Sequence, residues 1–155
     1  MTYEEAVAAI PTGMYRHYKG NYYRVMLIVR HSETDEPMVL YQALYGKCGV
    51  WVRPADMWNE TVEQDGKTIR RFSPVSREER VSFYEGLFDE VLKSLEDNTV
   101  SSEENQSKLH LLDEYYISGE WQEDYEADEA GSLPSDMKRG VLSQDGLYDL
   151  LEEIR

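Results

Sequence analysis

The chain has a single cysteine, Cys48, among 155 residues. An internal disulfide therefore cannot form, and a reducing cytoplasm is the simplest home. No apolar run approaches the roughly 18 residues that cross a bilayer, so a membrane partner is not expected. Met1-Thr2-Tyr3-Glu4-Glu5 lacks a cationic stretch leading into an apolar one, which argues against a signal peptide. Phosphate-binding loops and dinucleotide fingerprints are missing too. Three histidines, His17, His31 and His110, are too few and too scattered to define a metal site by spacing. A calcium loop counted from Asp124 would need Gly and Glu where Glu129 and Ser135 stand. Neither a metal nor a cofactor is expected.

Positive charge is also scarce. The chain carries 31 Asp/Glu against 16 Lys/Arg, a net charge of −15, with a mean hydropathy of −0.65. Residues 1–73 hold nine of each sign, leaving 22 acidic and 7 basic groups for residues 74–155. The whole imbalance thus belongs to the second half. Such a surface repels phosphates, so nucleic acid is not an expected partner, whereas a basic protein is compatible with it.

The pattern itself divides the chain into a small β domain over 1–73 and an acidic helical domain over 77–155, an α+β protein. Thr2 and Glu5 have capping-box spacing and predict a short helix ended by Pro11 and Gly13. Strands follow at Tyr15–Tyr18 and Tyr22–Val29, joined by Lys19-Gly20-Asn21, then at Met38–Leu44, Val50–Arg53, Trp58–Val62 and Lys67–Phe72. Short strands with tight links predict a curled, SH3-like barrel. After Pro74 the period turns helical. Ser76/Glu79 and Ser101/Glu104 repeat the capping spacing ahead of two helices that form an antiparallel hairpin. Gly131, Pro134, Gly140 and Asp145-Gly146 then divide short C-terminal helices, the last placing Leu147, Leu150, Leu151 and Ile154 on one face.

Two segments carry the candidate chemistry. Tyr15-Arg16-His17-Tyr18-Lys19 interleaves aromatic and cationic groups, and Arg30-His31-Ser32-Glu33-Thr34 leaves an apolar strand on five polar residues. Strict alternation places Tyr23, Val25, Leu27 and Val29 toward the core, with Arg24, Met26, Ile28 and Arg30 opposite. On that register Arg16, Tyr18, Arg24 and Arg30 converge. Guanidinium forks bond phosphate or carboxylate, and aromatic faces stack on rings. A small anionic or aromatic ligand, such as a nucleotide derivative, is the expected partner. Its candidate contacts are Arg16, His17, Tyr18, Arg24, Arg30, His31, Ser32, Glu33, Thr34, Tyr45, Trp51 and Arg53. A polar turn, with Arg30 paired to Glu33 or Glu36 and hydroxyls bonding backbone, is the competing reading of residues 30–34. Adjacency of His31, Ser32 and Glu33 does not make a triad, because neighbours on extended chain point apart; no catalytic residue is assigned. Trp121 and Tyr125 share a helix face, either packed on the hairpin or forming a partner-binding patch edged by carboxylates.

Gly13-Met14-Tyr15-Arg16-His17-Tyr18-Lys19-Gly20-Asn21, Arg30-His31-Ser32-Glu33-Thr34, Tyr41-Gln42-Ala43-Leu44-Tyr45-Gly46 and Trp51-Val52-Arg53-Pro54 occur in order at close spacing. Over about residues 12–73 this resembles a bacterial and phage family, domain of unknown function family 1653. Gln42 stands where that family often has Arg. Tyr116 to Gly131, with Lys138 to Tyr148, resembles domain of unknown function family 4298 over about residues 77–155. The resemblances imply an SH3-like barrel joined to a helical module and supply no activity. The expectation is therefore a non-catalytic ligand-binding module. The alternatives are a protein-interaction adaptor using the acidic half, or a hydrolase centred on His31.

Overall fold

The computed structural model describes residues 1–143 and 145–154; Gln144, which falls within the C-terminal motif, and Arg155 lie outside them. The architecture is α+β, with an antiparallel sheet in the first half and helices in the second. Residues 1–75 and 76–155 form two compact units. None of the helices among the described residues is long and apolar enough to cross a membrane.

In the first unit, helix α1 (Tyr3–Ala9) begins on Thr2, whose hydroxyl accepts from Glu5 N at 3.1 Å. This satisfies one of the free N–H groups that every helix start leaves. Strands β1 (Gly13–His17), β2 (Tyr22–Arg30), β3 (Pro37–Ala43), β4 (Val50–Pro54), β5 (Thr61–Gln64), β6 (Lys67–Arg70) and β7 (Phe72–Pro74) follow, with helix α2 (Ala55–Trp58) between β4 and β5. Five of them form one sheet in the order β4-β3-β2-β1-β7, and β5-β6 is a separate hairpin. Among the described residues no β4–β7 pairing closes the sheet into a barrel.

A bulge in β2 decides which side chains reach the core. Val25 pairs with Tyr41 and Leu27 with Leu40, so Met26 is the extra residue. A bulge inserts one residue against none on the partner strand and reverses the alternation beyond it. Ile28 consequently joins the core at 6% exposure, while Leu27 turns outward at 53%. The inner face gathers Tyr15, Val25, Ile28, Val39, Tyr41 and Phe72 against Ala6, Ile10, Ala55 and Trp58. Trp58 lies parallel on Phe72 at 3.7 Å and meets Tyr15 and Tyr41 edge-on at 5.5 and 5.0 Å. These ring arrangements add to the area they bury.

In the second unit, α3 (Arg77–Glu96) starts on Ser76, which accepts from Glu79 N at 3.1 Å. Helix α4 (Glu103–Ile117) starts on Ser102 with Asn105, one residue beyond the predicted Ser101/Glu104 pair. Helix α5 (Glu120–Glu129), a 3₁₀ turn at Gly140–Leu142 and α6 (Gly146–Ile154) complete it. Tyr84 and Tyr115 stack at 3.9 Å between α3 and α4. Asp124, fully buried, accepts from Tyr115 Oη at 2.6 Å, Arg80 Nε at 2.9 Å and Arg77 Nε at 3.1 Å, and also contacts Arg80 Nη2. Burial would lower the Arg80 pKa, but its bonds to Asp124 and the nearby Glu120 carboxylate hold it above the usual value. Burial and the Asp124 bond push the Tyr115 phenol upward.

Candidate functional site

Cross-strand pairing sorts the predicted residues onto two faces. Tyr15, Tyr23 and Ala43 align on the inner face, as do His17 with Phe72, Val25 with Tyr41 and Trp51, and Ile28 with Val39 and Arg53. Arg24 aligns with Met14, Gln42 and Val50 on the outer face, and Arg16 with Tyr22 and Ser73. The bulge places Arg30 on the face opposite Arg24. The expected convergence of Arg16, Tyr18, Arg24 and Arg30 is therefore corrected: one extra residue, Met26, separates the two β2 arginines. Arg30 instead lies 4.2 Å over the Tyr3 ring and 3.7 Å from an Asp35 carboxylate oxygen.

The 30–34 segment is a polar turn. His31 N donates to Glu36 O and Asp35 N to His31 O, closing the β2–β3 loop. The imidazole accepts through Nδ1 from Glu33 N at 3.1 Å and Thr34 N at 3.4 Å. Thr34 Oγ1 accepts from Glu36 N at 3.3 Å. Asp35 takes φ +62°, the left-handed region that Asp tolerates at turns. Ser32 and Glu33 are exposed on this loop. The His31 ring thus acts as the internal cap of its own turn.

What the structure does bring together is an aromatic surface on the inner face near the start of β7. His17 meets Phe72 at 4.9 Å and Tyr18 at 4.6 Å, with Tyr23 at 6.4 Å. Tyr23 also contacts Phe72 and Tyr41 edge-on at 5.7 Å each. The Tyr23 and Tyr45 hydroxyls share a 2.8 Å hydrogen bond. Arg53 holds its guanidinium carbon 5.6 Å from the Phe72 centroid, within cation–π range. Among the described residues no carboxylate lies within ion-pair distance of Arg53. Trp51 shares this face by register but stays 61% exposed, its ring leaning over Gly49 so that a Cβ there would meet Nε1 at 3.0 Å.

The charges that act on His17 are positive, and one of them, Arg71, is itself paired with Glu60 at 3.4 Å. Burial, then the charges of Arg71, Lys19 and Arg53, hold the His17 pKa below its ordinary value. Lys19 N donates to His17 Nδ1 at 3.1 Å, so the neutral ring carries its proton on Nε2. Tyr23 is pushed up to about 12, first by burial and then by its bond to Tyr45. The surface therefore offers neutral phenols and a neutral imidazole beneath guanidinium and ammonium charge. Sequence reasoning missed Arg71 and Phe72. Their signal was positional, since β7 pairs with β1 and brings Phe72 opposite His17.

Trp121 and Tyr125 belong elsewhere. Trp121 is 7% exposed and donates from Nε1 to Val141 O at 2.8 Å, with Tyr125 stacked on it at 5.2 Å. Trp121 is thus a core residue rather than a partner-binding one, because its polar atom is satisfied internally. No group of three or more His, Cys, Asp or Glu side chains able to hold a metal converges among the described residues.

Residues 13–74 match the family model described as Protein of unknown function (DUF1653), and residues 83–155 match Domain of unknown function (DUF4298). A crystal structure of a DUF1653 protein from Bordetella bronchiseptica is 38% identical, covering 45% of this chain and 92% of its own, with a TM-score of 0.42. No curated protein matches the chain. The chain thus joins a segment similar to DUF1653 to a segment similar to DUF4298, two families whose descriptions name no activity.

Proposed function

We propose that the first unit is a non-catalytic binding module for an anionic ligand carrying an aromatic ring, such as a nucleotide derivative. The observation that carries this reading is Arg53, poised over Phe72 with no carboxylate partner among the described residues, beside a His17 whose pKa is lowered by burial first and by surrounding positive charge second. An anion would bond the Arg53 fork, and its ring would stack on the half-buried rings of His17, Tyr18 and Tyr23, with Phe72 as the buried layer beneath them. Of the twelve predicted contacts, His17, Tyr18, Tyr45, Trp51 and Arg53 support this site. Arg16, Arg24, Arg30 and residues 31–34 are set aside. We read the curled sheet, bent at the Met26 bulge, as an SH3-like barrel left open between β4 and β7. A hydrolase centred on His31 gains no support, since that ring is occupied with backbone N–H groups.

Calorimetric titration of the whole protein with nucleoside phosphates, nucleosides and inorganic phosphate tests the reading. Nucleotides should bind more tightly than either fragment. Losing a charge-assisted bond in Arg53→Ala should weaken binding about ten- to a hundredfold, while Arg30→Ala leaves it unaltered. Silence across the panel, or equal losses in both variants, refutes it.

A further inference from the structure

Strand β4 is the open edge of the five-stranded sheet: among the described residues it pairs with β3 on one side and with no strand on the other. Ala43 N donates to Gly49 O at 2.9 Å, so residues 43 and 49 form a hydrogen-bonded pair, and alternation makes 41/51 and 39/53 the next such pairs. Val50 and Val52 therefore turn their N–H and C=O groups toward the free edge. Pro54, next in that series, has no N–H to offer, as suits an edge position. The strand lacks the usual devices that block an edge, since it has no lysine, no carboxylate and no register shift against β3. Val50, Trp51 and Val52 stand 51%, 61% and 57% exposed.

We infer that β4 pairs antiparallel with the β4 of a second copy about a two-fold axis at Trp51, with Val50 of each copy facing Val52 of the other. Every outward N–H and C=O of Val50 and Val52 then finds a partner, and the two Trp51 side chains meet where cross-strand neighbours are closest. Other two-fold registers do worse. One faces Val50 with Pro54, which has no donor, and another faces Val52 with Cys48, whose φ of +56° has left the strand. Charge also selects a second copy. In the favoured register Arg53 faces the partner's Gly49, over which the partner's Trp51 ring leans. The guanidinium, with no carboxylate partner among the described residues, therefore meets an indole, and the exchange occurs twice. Any other extended segment would have to bring a glycine and a tryptophan in that same order. Strand addition of this length is small beside a standard interface of about 800 Å² per partner, so the association is micromolar rather than nanomolar. The pairing does not rest on the ligand reading, although it would set the partner's Trp51 at the border of each ligand surface.

Sedimentation equilibrium of the whole protein, with no ligand added, tests the pairing. Mass should rise toward a dimer with concentration, and more readily in high salt, because each copy carries a net charge of −15 that salt screens. Two double variants fix the register. Val50→Lys with Val52→Lys sets like charges opposite each other and should weaken association at least about tenfold. Val50→Lys with Val52→Glu sets opposite charges face to face and should stay within about threefold of the parent. Both change the same exposed side chains, so a loss of fold would show in both. Hydrogen exchange should slow at the Val50 and Val52 amides as concentration rises, while Trp51 and Arg53, already bonded to β3, stay unchanged. A monomer at every concentration overturns the inference, as do two variants that respond alike. It also fails if an extended peptide protects these amides while the chain stays monomeric, because the edge then belongs to another partner.

Discussion

Asp124→Ala should be among the most destabilising single changes in the second unit. The carboxylate is 0% exposed and takes hydrogen bonds from three side chains, Tyr115, Arg80 and Arg77. Those partners do not lose equally. The Arg77 side chain is 45% exposed and can turn to water, whereas Arg80 at 15% would keep only Glu120, itself 15% exposed. The Tyr115 hydroxyl, buried against Tyr84, would have no acceptor. Removing one member of a buried ion pair costs about 3–5 kcal/mol, because the surviving charge stays desolvated. That is two to nearly four orders of magnitude in the opening equilibrium, roughly one per 1.4 kcal/mol. Tyr115→Phe removes only one bond to a charged acceptor and should cost about 1.5–3 kcal/mol. Hydrogen exchange of the slowest amides of α3, α4 and α5 in the intact protein reads these values without requiring both units to unfold together. A cost below about 1 kcal/mol for Asp124→Ala, or a Tyr115→Phe cost equal to it, would refute the network as the organiser of this unit.

Stability of the first unit should fall as pH drops from the ordinary histidine range through the lowered His17 pKa. The unfolded chain takes up that proton first, so a His17→Asn variant should flatten this slope in acid-range urea melts. At the other end, Tyr23 holds its proton to about 12 when folded and to its ordinary value of 10.0 when unfolded. Its contribution is therefore complete below pH 10 and should disappear between these values, a loss that Tyr23→Phe would abolish in alkaline melts. Trp58→Ala should cost about 3–5 kcal/mol, as large aromatic truncations in a core do. Trp58→Phe should cost well under that, since among the described residues the buried indole N–H has no hydrogen-bond partner to lose; equal melting temperatures for the two variants would contradict this.

Much of the architecture is legible because it is local. Thr2 and Ser76 announce their helices by hydroxyl and spacing, and the α3 periodicity shows its buried face without tertiary information. The second helix is off by one residue because Ser101 and Ser102 both offer a cap, and only the folded link chooses between them. Asp124 was illegible for a different reason. It sits in Glu123-Asp124-Tyr125-Glu126, a run that reads as solvated, and its partners Arg77 and Arg80 lie 47 and 44 residues away. The packing of Trp121 was among the readings of the sequence, but the same fold-level dependence hid its hydrogen-bond acceptor, the carbonyl of Val141.

The candidate site turns on a single residue that alternation cannot supply. Arg24-Val25-Met26-Leu27-Ile28 contains no glycine and no proline, and every member suits a regular strand. Had β2 been regular, Leu27 and Val29 would face the core, and Arg24 and Arg30 would share the outer surface with Arg16. The bulge reverses this beyond Val25. Ile28, a β-branched residue, is buried in place of Leu27, and Arg30 is carried to Tyr3 and Asp35. Positive charge on the outer face is thereby thinned, while Arg53 remains on the inner face opposite Val39. Deleting Met26 removes only the unpaired residue and leaves Val25 opposite Tyr41 and Leu27 opposite Leu40, so Ile28 stays inward and Arg30 stays on the face of Tyr3 and Asp35. The first unit of that variant should still melt cooperatively, with the Ile28 and Val39 amides protected as in the parent. A Met26 deletion that abolishes cooperative melting, or that moves Arg30 to the face of Arg24, would mean that the division of the arginines does not come from one extra residue.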